Sequence, residues 1–154
     1  MISFSRAVTA CMAGLILAAS ATPVFAHDDA YLDSLKSVNG GQVRMAGAYH
    51  YELVMSKDSK DVKENPVTVY VTDHAGIKLP TSGATGTATI LSGKNKATVT
   101  LVADGENRLK TTAKYASTAD VKVVVSVTLA GKMPEQARFT PFAAPKDDHT
   151  DHKH

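Results

Sequence analysis

Along residues 66–72 apolar and polar side chains alternate, with Val67, Val69 and Val71 on one face and Thr68, Tyr70 and Thr72 on the other. A period of two on β-branched residues is the signal of a half-buried strand. Pro66 suits a strand's first residue, where no ladder donor is needed. Asp73-His74-Ala75-Gly76 predicts the turn that ends the strand and places a histidine in it. The pattern recurs on both sides. Residues 42–46 predict a first strand, and in 49–56 (YHYELVMS) Tyr49, Tyr51, Leu53 and Met55 face one way while His50, Glu52 and Val54 face the other. Residues 57–65 read as a charged connection and 77–80 as a brief pairing. Residues 87–91 and 96–102 predict a hairpin around Ser92-Gly93-Lys94-Asn95, and 108–115 a strand after the turn Asp104-Gly105-Glu106-Asn107. In 121–129 Val121, Val123, Val125, Val127 and Leu129 share a face, and Val124 on the other predicts a central strand; 136–142 closes the series.

Helical spacing is confined to 27–36, where Tyr31, Leu32 and Leu35 group together behind Asp28 and Asp29, and Asn39-Gly40-Gly41 breaks the run. Roughly seven to nine short strands with turn signals between them predict an all-β fold, an immunoglobulin-like antiparallel β-sandwich, with a barrel as the alternative. The chain has no tryptophan and one cysteine, which excludes the antibody-type core.

The first 26 residues are set apart. Arg6 precedes an apolar run from Ala7 to about Ala21, too short to span a bilayer comfortably, and Val24-Phe25-Ala26 offers small residues at a cleavage site. The expected organisation is a cleaved signal peptide over 1–26, an N-terminal segment with a short helix over 27–41, the β-sandwich over 42–142, and a disordered His/Asp-rich tail over 143–154. Cleavage removes Cys11, the lone cysteine, and with it any disulfide or thiolate site. It also lowers the formal charge of +2 by one, through Arg6. So small a charge argues against a nucleic-acid binder. The mature chain is expected in a bacterial periplasm, off the membrane.

All six histidines lie beyond the leader: His27, His50, His74, His149, His152 and His154. Cleavage after Ala26 would make His27 the new terminus, where α-amine and imidazole chelate one ion; nitrogen donors suit copper(II), and imidazole is also a zinc ligand. His50 or His74 would complete such a site. His50 and Glu52 share a strand face two residues apart, and Asp73 adjoins His74. The plainer alternatives are a frayed end for His27, a solvated face for His50 and Glu52, and a turn-forming role for Asp73. The tail DDHTDHKH, with His149, His152 and His154, reads equally as a metal scavenger or a solvated tail. Met45 and Met55 flank the His50 strand; thioethers favour copper(I), but both positions fit core packing, which is the expected role. G-x-S-x-G, H-E-x-x-H and glycine-rich phosphate loops are absent from the sequence, so a binding protein is expected rather than an enzyme.

Several segments together carry a family resemblance: His27-Asp28-Asp29, Gly40-Gly41, Tyr49-His50-Tyr51-Glu52-Leu53, Val69–Gly76, Ser92–Lys96 and Val127–Lys132. With the leader, they resemble small exported bacterial proteins found with heavy-metal resistance and efflux systems. More loosely they resemble immunoglobulin-like periplasmic modules of the FixH/YtkA kind and the metal-binding extensions of efflux adaptors. Asn39 stands where such relatives often carry a histidine. The resemblance implies a periplasmic protein that sequesters or delivers copper or a similar divalent ion, with an efflux adaptor as a possible partner. The alternative from another class is a metal-independent interaction module that pairs through an exposed sheet edge.

Overall fold

A computed structural model of the chain describes residues 29–144. The expected leader, His27, and the tail histidines His149, His152 and His154 lie outside the described residues. One short helix, α1 (Asp29–Ser34), precedes eight strands: β1 (Gln42–Ala46), β2 (Tyr49–Met55), β3 (Lys63–Thr72), β4 (Thr85–Ser92), β5 (Asn95–Ala103), β6 (Arg108–Tyr115), β7 (Lys122–Thr128) and β8 (Glu135–Phe139). No helix among the described residues is long and apolar enough to cross a membrane.

Every strand pair is antiparallel, and the order is β1-β2-β3-β6-β5-β4-β7-β8. The β5–β6 ladder has only the pairs Val102–Lys110 and Ala103–Leu109. It is the shortest ladder in the sheet and divides it into β1-β2-β3-β6 and β5-β4-β7-β8, the two halves of a nearly closed sandwich that share one core. The order β3-β6-β5-β4 is a Greek key, and so is β6-β5-β4-β7. At the seam β1 approaches β8, and the Thr140 amide donates to Gln42 Oε1 at 2.8 Å; no ladder joins the two strands among the described residues.

The alternating valines become the core. Val67, Val69 and Val71 of β3 pack with Val123, Val125 and Val127 of β7, with Tyr51 and Leu53 of β2, and with Leu101, Leu109, Tyr115 and Phe139. All of these are essentially sealed from solvent. Fully burying an aliphatic side chain stabilises by roughly 1.5–3 kcal/mol, so this cluster holds the sandwich together without a disulfide. β7 sits between β4 and β8, the central position its second apolar face predicted.

Two expectations are corrected. β3 begins at Lys63, three residues before Pro66. Proline is tolerated there because Pro66 is laddered on one side only, opposite Thr112 of β6, while the β2 ladder starts at Val67. Met45 is the second. β1 turns Arg44 and Ala46 inward and leaves Met45 half-buried outside the core cluster, whereas Met55 belongs to it. Arg44 can be buried because α1 brings it two carboxylates: its guanidinium meets Asp33 at 2.7 and 3.1 Å and Asp29 at 3.5 Å. A fork-shaped cation with paired acceptors is the form in which a charge is buried at acceptable cost.

Candidate metal site

The β1–β2 hairpin builds half of the site. Gly47 and Ala48 make a two-residue turn, with Gly47 at φ +57°, a conformation glycine adopts without strain. This short turn sets the register, so Met45 of β1 lies directly opposite His50 of β2. Tyr51 and Leu53 face the core, and alternation therefore puts His50 on the outer face. There its Nε2 lies 3.0 Å from the Met45 sulfur.

The turn after β3 builds the other half. Asp73 Oδ1 accepts hydrogen bonds from the Ala75 and Ile77 amides, both at 2.8 Å, and the Asp73 amide donates to the Ile77 carbonyl at 2.9 Å. The Thr72–Lys78 bridge extends the pairing expected for 77–80. An aspartate folding the backbone over itself in this way makes a compact turn. His74 stands exposed on that turn. Because His50 is paired with Thr72 across the β2–β3 ladder, the turn delivers His74 to the same edge. The two imidazoles stack, with centroids 4.9 Å apart and planes 16° from parallel. His74 Nε2 is 3.3 Å from the Gly47 carbonyl oxygen, so the hairpin turn also touches the second histidine.

The two carboxylates singled out in the sequence have other partners. Glu52 is buried rather than solvated: its Oε1 accepts from the Asn39 amide at 2.8 Å and the Gly41 amide at 3.0 Å, and its Oε2 from the Asn39 side chain at 2.8 Å. Gly41 can lie this close to β2 because it lacks a Cβ, which would fall 2.3 Å from the Leu53 carbonyl oxygen. Asp73 has its Oδ1 committed to its own turn. Among the described residues no three His, Cys, Asp or Glu side chains gather into a group that would hold a metal. The convergence that does occur is two imidazoles and a thioether. Of the sequence-predicted residues it contains His50 and His74, and it adds Met45, which periodicity had assigned to the core.

The site lies at the surface, with His74 exposed and Met45 and His50 half-buried. A polar cleft of about 290 Å³ lined by Ser56, Lys57, Asp58, Ser59, Lys63 and Asn65 includes none of its residues. Nor does a second cleft of about 240 Å³, beside Arg44 and Phe139.

Fold and site thus define an all-β antiparallel sandwich that presents a histidine–methionine cluster at the β1–β2 turn. No protein-family model matches this chain, and no curated protein is significantly similar to it.

Proposed function

We propose that the chain is an exported, periplasmic metal-binding protein that sequesters or hands on copper or a similar transition ion, in the setting of metal efflux or resistance. The observation that carries this reading is the meeting of His50 and His74 on one edge, 4.9 Å between ring centroids, from segments more than twenty residues apart in sequence. Imidazole is a ligand for copper and zinc alike. His50 sits on a strand paired on both sides and His74 on a hydrogen-bonded turn, so the backbone of both is ordered before binding, which limits the entropy lost. The apolar run and cleavage pattern of residues 1–26 support export. The action would be reversible ligation by neutral imidazoles, with no chemistry performed on the ion.

Calorimetric titration of residues 27–154 with copper(II) and zinc(II), beside a chain ending at Pro145, tests this. The expected result is one-to-one binding that survives loss of the tail and is lost in His50→Ala and His74→Ala. Binding that disappears with the tail would reduce the protein to a flexible scavenger. No binding to either chain, of these ions or of their monovalent counterpart copper(I), would overturn the reading.

A second reading, a metal-independent interaction module, draws on β5. Its ladder with β6 has two pairs, so the stretch from Asn95 to Leu101 has a strand neighbour on the β4 side only among the described residues. Such an edge can pair with another chain. Partner binding that persists in excess chelator would favour it.

A further inference from the structure

We infer that Met45, His50 and His74 form a site for a soft monovalent ion, copper(I) or silver(I), in preference to a divalent one. This rests on the metal-binding reading above and specifies its cargo.

The donor set supports the choice in three ways. First, the Met45 sulfur is within 3.0 Å of His50 Nε2, and this meeting is imposed by the hairpin: the two residues are register partners beside a two-residue turn. A thioether is a neutral, polarisable donor that binds copper(I) and silver(I) well and hard divalent ions poorly. Second, the set carries no negative charge. No Asp or Glu completes a three-group cluster with His50 and His74 among the described residues. Glu52 and Asp73, the carboxylates nearest in sequence, are engaged by Asn39, Gly41 and the 73–77 turn. Two neutral imidazoles and a thioether leave a single positive charge to be solvated locally, a smaller penalty than a double one. Third, zinc draws its protein ligands from thiolate, imidazole and carboxylate groups, and copper(II) favours tetragonal nitrogen and oxygen donors. A thioether belongs to neither set.

The rings are stacked, so one must turn before both nitrogens face a shared ion. His74 is the exposed member, on a turn whose backbone is held by Asp73. Its rotation gives up the stack on His50 and the 3.3 Å approach to the Gly47 carbonyl oxygen, but His74 is not part of the core cluster.

The test uses residues 27–154 with His27, His149, His152 and His154 replaced by alanine, so that only the folded site is read. Silver nitrate in chloride-free buffer is the redox-stable probe, and copper(I) is titrated anaerobically against a chromophoric competitor. Zinc(II) and copper(II) serve as comparison ions. Methionine-methyl NMR reports whether the Met45 sulfur is engaged. Silver(I) is expected to bind one-to-one and shift the Met45 methyl signal. Met45→Leu should weaken silver(I) and copper(I) by about tenfold or more, at least the loss typical of disturbing a metal's supporting shell. The same variant should leave zinc(II) and copper(II) within about twofold, far less than the 1.4 kcal/mol of a tenfold change. A silver(I) affinity unchanged in Met45→Leu, with a silent Met45 methyl, would overturn this inference. Divalent binding lost in His50→Ala would then leave the metal-binding reading standing. Binding of none of the four ions would end both.

Discussion

Glu52 is where a structural role and a ligand role can be separated by measurement. Its carboxylate accepts three hydrogen bonds from Asn39 and Gly41 while almost wholly buried on the outer face of β2. Hydrogen bonds to a charged group contribute about 1.5–3 kcal/mol each. Asn39 is exposed, so its side-chain amide regains water when the carboxylate is removed, and that bond adds little. The two backbone amides are the donors whose loss counts. Taking about 1.5 kcal/mol for each, Glu52→Ala should destabilise the fold by about 3 kcal/mol. With a urea m-value of about 1.5–2 kcal/mol/M, the unfolding midpoint should fall by about 1.5–2 M. Glu52→Gln is the informative companion. Both backbone amides bond to Oε1, so the amide oxygen can keep them, and a flipped Asn39 side chain can accept from the new NH₂ group. Only charge assistance is lost, about 1 kcal/mol. Urea unfolding followed by far-UV circular dichroism reads both variants, and metal titration of the folded variants runs beside it. A Glu52→Ala midpoint within about 0.3 M of the parent would refute the hydrogen-bond argument. Unchanged stability in Glu52→Gln with metal affinity abolished would make the carboxylate a ligand.

Two further outcomes follow from the same geometry. Gly47→Ala forces a side chain into φ +57°, which costs about 1–2 kcal/mol, and its Cβ would fall 2.2 Å from the Glu135 carboxyl; in thermal melts, adding Glu135→Ala should recover the steric part and not the backbone part, and full recovery would refute the assignment. At alkaline pH, burial, with smaller contributions from Glu135 and Tyr49, holds the Tyr51 phenol well above its ordinary value, and burial also raises Tyr115. A folded-state pKa raised above the unfolded one leaves its stabilisation intact below about pH 10 and loses it as pH rises from there to the folded-state value, by at most about 1.4 kcal/mol per pH unit for one phenol. Stability measured between pH 10 and 12 should therefore fall less steeply in Tyr51→Phe and Tyr115→Phe, and a slope equal to the parent's would sink the linkage.

The sequence by itself determined what depends on neighbours a few positions away. Alternating valines in 67–71 and 121–127 specified strands and their buried faces, because a pleated backbone sends successive side chains to opposite sides. Turn chemistry at 73–76, 92–95 and 104–107 specified where the strands stop. The all-β class and the place of β7 inside the sheet followed from these local signals.

Tertiary structure alone decided the rest. β1 is five residues long with apolar side chains at both parities, so alternation could not say which face was inward. That was settled by Arg44, which turns inward only because α1 supplies Asp29 and Asp33; Met45 then has to face outward. Strand alternation makes the Glu52 carboxylate half of a ligand pair with His50, and only the Asn39–Gly41 segment folded over it makes it a hydrogen-bond acceptor instead. His50 and His74 meet through the pairing of His50 with Thr72. Strand pairing is chosen by the burial of the whole sandwich, a free energy spread over many residues that no short window of sequence contains.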